Sequence, residues 1–137
     1  MTIVGLKPQP TKPPILISLY TVAEGAPLAH NLPTIFIETP IFTKRLSKLL
    51  DDDSYAEFQR QLSLQPDAGD IIEGTGGIRK IRVASSGQGK RGGSRVIYYH
   101  FVAAAQIALL LIYPKNEKDD LTPAECKALK KMIERWR

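Results

Sequence analysis

From Thr34 onward, apolar positions recur at the spacings of regular secondary structure. Ile35-Phe36-Ile37 is β-branched and aromatic, the composition of a strand. Thr39-Pro40 has the form of an N-cap with proline in the first helical position, and Ile41, Phe42, Leu46, Leu49 and Leu50 follow at helical spacing. Asp51-Asp52-Asp53 interrupts that run. Ser54-Tyr55-Ala56-Glu57 has the pattern of a capping box, and Tyr55, Phe58 and Leu62 form one stripe of a second helix that ends before Pro66. After a glycine-rich turn at 70–77 come three strand candidates, Ile78–Ala84, Arg95–Val102 and Ile107–Tyr113. The last is apolar almost throughout and is expected to be central and covered on both faces. Thr122-Pro123-Ala124-Glu125 opens a final helix whose inner stripe is Leu129, Met132, Ile133 and Trp136. The order β-α-α-β-β-β-α predicts an α+β domain over residues 34–137. It is expected to hold a small antiparallel sheet of about four strands, two N-terminal helices and one C-terminal helix.

Residues 1–33 break this pattern. They carry six of the ten prolines, have no sustained periodicity, and read as a disordered or non-native N-terminal extension. Lys7 and Lys12 ahead of Ile15–Ala23 have the outline of a signal peptide, but the apolar run is short and the prolines are badly placed for one. No apolar run reaches the roughly 20 residues of a membrane span, so no membrane association is expected. The single cysteine, Cys126, permits no intramolecular disulfide and suits a reducing, cytoplasmic location.

The net charge of +5 points only weakly to a polyanionic partner; its distribution says more. Residues 74–116 contain Arg79, Lys80, Arg82, Lys90, Arg91, Arg95 and Lys115 and no acid, while the remainder of the chain nets −2. In a strand, residues two apart share a face, so Lys80 and Arg82 are expected on one side and Ile81 and Val83 on the other. Arg95 opens the next strand and is expected near the end of the first. Several cations on one face suit a phosphate backbone. Arg79 falls on the opposite face, where a carboxylate such as Glu73 is a candidate partner.

Other chemistries compete poorly. Gly87-Gln88-Gly89-Lys90 lacks the spacing of a nucleotide-binding P-loop and precedes no helix. It reads either as a mobile basic clamp or as a hairpin loop without a task. His30 and His100 are too far apart for metal-ligand spacing, and no metal or cofactor is expected.

Gly74–Ala84 (GTGGIRKIRVA), the following Gly89–Tyr99 (GKRGGSRVIYY), and Ile112-Tyr113-Pro114-Lys115-Asn116-Glu117 with Asp120-Leu121 together resemble the RelE/HigB family of type II toxins, and within it the HigB-like branch. The similarity runs from about Ile35 to the C-terminus. It implies a RelE-like fold and a ribosome-dependent mRNA endoribonuclease, or mRNA interferase, in which the 2′-hydroxyl attacks the adjacent phosphate. The resemblance assigns catalytic roles to Lys80, Arg82, Arg95 and Lys115. It assigns contacts with RNA or ribosome to Arg79, Lys90, Arg91, Tyr113 and Asn116. Asn116 stands where some relatives carry arginine, and the family's C-terminal tyrosine has no counterpart in the last helix, which leaves Tyr113 as its substitute. A lysine crowded by arginines is a candidate general base, and Lys80 is that lysine. The implied partners are a HigA-like helix-turn-helix antitoxin, the ribosome with its mRNA, and operator DNA only through the antitoxin. The same fold hosts ParE-type gyrase inhibitors, and a non-catalytic RNA- or ribosome-binding module is the third reading.

Overall fold

A computed structural model describes residues 16–20, 34–84, 93–118 and 120–136. Among the described residues, six strands form one sheet: β1 (Leu16–Tyr20), β2 (Thr34–Glu38), β3 (Asp70–Ile71), β4 (Arg79–Val83), β5 (Ser94–Phe101) and β6 (Gln106–Pro114). Helices α1 (Pro40–Leu49) and α2 (Asp52–Leu64) follow β2, and α3 (Pro123–Trp136) closes the chain. The α+β class and the three helices are as expected from the sequence. The sheet differs in two respects. It has six strands in the order β1-β2-β6-β5-β4-β3, the additions being β1 and the two-residue β3. It is also mixed, because β2 runs parallel to β6. That β2 pairs there follows from β6, which is apolar from Ile107 to Ile112 and buried along most of its length. Its buried backbone groups need hydrogen-bonding neighbours on both edges, which β5 and β2 supply.

Short polar side chains set the helix boundaries. Thr39 Oγ1 accepts from the Phe42 N–H at 3.2 Å and donates to the Leu110 carbonyl at 2.9 Å, so the start of α1 is tied to the central strand. The capping box expected at Ser54 is displaced. Asp51 is the cap of α2, its Oδ1 accepting from the Ser54 N–H at 2.6 Å, and Asp52 and Asp53 occupy the first turn. Carboxylates there face the positive end of the helix, so the acidic run starts the helix instead of separating two. The box at α3 forms as expected: Glu125 accepts from the Thr122 N–H at 2.8 Å, and Thr122 Oγ1 accepts from the Glu125 N–H at 3.1 Å.

The sheet is covered on both sides. Ile81, Val83, Val96, Tyr98, Leu109 and Ile112 pack toward α1 and α2, around Phe42, Phe58 and Leu62. Ile78, Ile97, Ala108, Leu110 and Tyr113 pack toward Leu129, Ile133 and Trp136 of α3. The β5–β6 register slips between Ile97, opposite Leu111, and Tyr98, opposite Leu109. Leu110 is the extra residue of a β-bulge, and both Leu110 and Leu111 belong to the α3 side. Beyond the bulge the alternation of β6 is inverted, which puts Tyr113 on the α3 side.

A buried carboxylate joins β2 to the helical hairpin. Glu38 accepts from Thr43 Oγ1 at 2.6 Å and from the Tyr55 hydroxyl at 2.5 Å. Burial, then the hydrogen bond and charge of Glu38, push the Tyr55 phenol well above its ordinary value, so it remains a donor. Tyr55→Phe leaves a Glu38 oxygen short of one donor in a buried setting. Urea unfolding is expected to show a loss of about 1–3 kcal/mol with an unchanged m-value.

Candidate functional site

Strand alternation and register build a row of candidate side chains. In β4, Ile81 and Val83 face α1–α2, so Lys80 and Arg82 face the α3 side with Ile78. In β5, Val96 and Tyr98 face α1–α2, so Arg95 shares the α3 side with Ile97. Arg82 is the register partner of Arg95, and Arg95 that of Tyr113. These three therefore stand side by side across β4, β5 and β6 at one end of the sheet, with Lys80 one row inward, opposite Ile97. Residues directly opposite in antiparallel strands have Cβ atoms roughly 4.5–5.5 Å apart, and like charges in that position are unfavourable without an anion.

Gly93 holds the end of this row. It adopts φ +51°, and a Cβ there would lie 2.5 Å from the Val83 carbonyl oxygen, so only glycine fits between β4 and the start of β5. Its own carbonyl accepts from the Lys115 N–H at 3.1 Å, which fixes the turn after β6 beside the same strand end. Lys115 and Asn116 are exposed in that turn.

The turn returns an acid to the basic face. Lys80 Nζ donates to Asp120 Oδ1 in an ion pair; the lysine side chain is 27% exposed and the aspartate 75%. The hydrogen bond from Lys80 and its charge hold the Asp120 carboxyl below its ordinary range, and the positive charge of Arg95 adds to the effect. Lys80 thus has a carboxylate neighbour where the sequence led us to expect only arginines. Next to it, Lys118 Nζ lies 5.4 Å from the centroid of the Tyr113 ring and 2.5 Å from Glu125 Oε2. Glu117 pairs with Arg45 of α1 at 2.6 Å.

The structure therefore brings together Lys80, Arg82, Arg95 and Tyr113, with Lys115 and Asn116 at the same sheet end. Arg79 is not among them. It lies on the α1–α2 side and donates to the carbonyls of Asp67 at 3.2 Å and Gly69 at 2.7 Å, backbone acceptors in place of the carboxylate considered from the sequence. Lys90 and Arg91 lie outside the described residues. Two participants were not foreseen, Asp120 and Lys118. The acid-free stretch ends at Asn116, and spacing along the chain carries no sign that the next few residues fold back over β4.

Among the described residues, no helix is long and apolar enough to cross a membrane. Comparison with protein families gives a match to the RelE toxin of the RelE/RelB toxin–antitoxin system over residues 65–137, more than half of the chain. The matched region begins after α2 and contains the whole cationic row.

The carboxylate gives a pH signature. A folded value below the ordinary 3.8 means that the pair's contribution is complete above the ordinary value and is lost only as the pH falls through the depressed one. A carbon-detected NMR titration is expected to place the Asp120 midpoint below 3.8, and Lys80→Ala is expected to move it upward.

Proposed function

Because the chain belongs to the RelE toxin family, the toxin half of a toxin–antitoxin system, we propose that it is a ribosome-dependent mRNA endoribonuclease of the HigB-like branch. The observation that carries this reading is the convergence of Lys80, Arg82 and Arg95 on one face of the sheet, Arg82 being the register partner of Arg95 and Lys80 one row inward. In the proposed reaction, the 2′-hydroxyl oxygen of one nucleotide attacks the adjacent phosphorus. The bond from phosphorus to the 5′-oxygen breaks, leaving a 2′,3′-cyclic phosphate and a 5′-hydroxyl. The pentavalent transition state carries more negative charge than the diester, and fixed guanidinium groups stabilise that difference.

Arg82 and Arg95 are the proposed clamp on the phosphate oxygens. Lys80 is the proposed proton-transfer group. It takes the 2′-hydroxyl proton in its amine form and, as an ammonium, returns one to the departing 5′-oxygen. Tyr113, fully buried beneath α3 with Lys118 near its ring, supports the row from inside the core, and Lys115 and Asn116 extend the contact to flanking RNA or ribosome. Arg79, held by two backbone carbonyls, serves to support the sheet. The proposed partner is a HigA-like helix-turn-helix antitoxin, and operator DNA is reached through that partner. The site of action is the cytoplasm, where translating ribosomes are.

Primer extension on transcripts after brief induction is expected to show breaks inside translated codons. Arg95→Ala is expected to reduce the cleavage rate roughly 10²-fold or more in a translating extract. Lys80→Ala cleaving at the parental rate would remove Lys80 from the proton-transfer role. Intact transcripts alongside arrested DNA supercoiling would replace this reading with gyrase poisoning.

A further inference from the structure

We propose that Asp120 is an internal stand-in for the substrate phosphate: its carboxylate occupies an anion seat between Lys80 and Arg95 that the scissile phosphate takes over on binding. The inference deepens the nuclease reading by naming how the site is kept when no RNA is bound.

Three observations on different elements converge. First, Arg82 and Arg95 are register partners on one face, with Lys80 one row away, so three cations are gathered where repulsion favours an anion among them. Second, a carboxylate does enter, from the segment between β6 and α3, and pairs with Lys80. Third, the positive charge of Arg95 reaches the same carboxylate, which places Asp120 in the field of both side chains. The carboxylate is three-quarters exposed, while the lysine it pairs with is mostly covered. Asp120 therefore occupies the solvent side of the seat, the side from which a ligand arrives, and leaves without disturbing the core.

A carboxylate and a phosphodiester present the same chemistry to a lysine and an arginine, namely anionic oxygens that accept charge-assisted hydrogen bonds. The two therefore exclude each other. Displacing Asp120 costs the same for any anion, so every affinity for the seat is lowered by one factor. A weakly held single phosphate is then kept out at ordinary concentrations. An RNA that also engages Lys115 through a neighbouring phosphate still binds.

The test uses inorganic phosphate as probe and needs neither cleavage nor a ribosome. Phosphate is titrated into the full chain at constant ionic strength, and the side-chain N–H signals of Arg95 and Lys80 are followed by NMR. Asp120→Asn is expected to bind phosphate roughly two- to fivefold more tightly than the parent, the range set by removing an exposed ion-pair competitor. Asp120→Ser is expected to do the same. Asp53→Asn, which removes one charge from the start of α2, is expected to leave the affinity unchanged and so isolates the local effect from net charge. Adding Lys80→Ala to Asp120→Asn is expected to abolish the gain. Equal or weaker phosphate binding by Asp120→Asn, or no binding by parent and variant alike, overturns the inference and leaves Asp120 as a tie between the loop and β4. Phosphate binding that tightens as described while transcripts stay intact keeps the seat and removes the nuclease reading instead.

Discussion

Arg82 and Arg95 face one another across adjacent strands, and a pair of like charges in that position opposes the pairing of β4 with β5. The pairing holds because the other face of the same strands is buried. Ile81, Val83, Val96 and Tyr98 lie against α1 and α2, and a one-residue slip of β4 would turn Ile81 and Val83 off that core and drive Lys80 and Arg82 into it. Apolar burial on one side of the sheet thus holds an electrostatically unfavourable arrangement on the other. Everything proposed about the site follows from that coupling.

The sheet end is finished by features that each serve position. The bulge at Leu110 inverts the alternation of β6 and delivers Tyr113 to the row. Gly93 lets the start of β5 approach the Val83 carbonyl, and its own carbonyl anchors the turn that carries Lys115. The capping pair of Thr122 and Glu125 fixes where α3 begins, and Glu125 also holds Lys118 beside Tyr113. The segment between β6 and α3 is thereby constrained at both ends, and Asp120 lies within it.

Much of this was legible in the chain. Period-two and period-3.6 spacing locate β2, the three long strands and all three helices, because both periods arise locally. The alternation of Lys80, Ile81, Arg82 and Val83 assigns the cations to a common face for the same reason. Less legible were the acidic run at 51–53, which reads equally as a break and as a first helical turn, and the strands β1 and β3. β3 is only two residues long, and β1 lies in a proline-rich stretch without periodicity. The parallel pairing of β2 with β6 leaves no local mark either, since it joins segments about 70 residues apart.

By itself the sequence determined which residues form elements and which side of a strand each cation takes, since both depend on neighbours a few positions away. The tertiary structure decided what those cations meet. Register aligned Arg82 with Arg95 and Tyr113, a bulge chose the face of Tyr113, Arg79 was drawn to backbone carbonyls, and a loop brought Asp120 to Lys80 across 40 positions of chain. Charge acts through space, so its partners are set by the packing that closes the sheet and not by order along the chain.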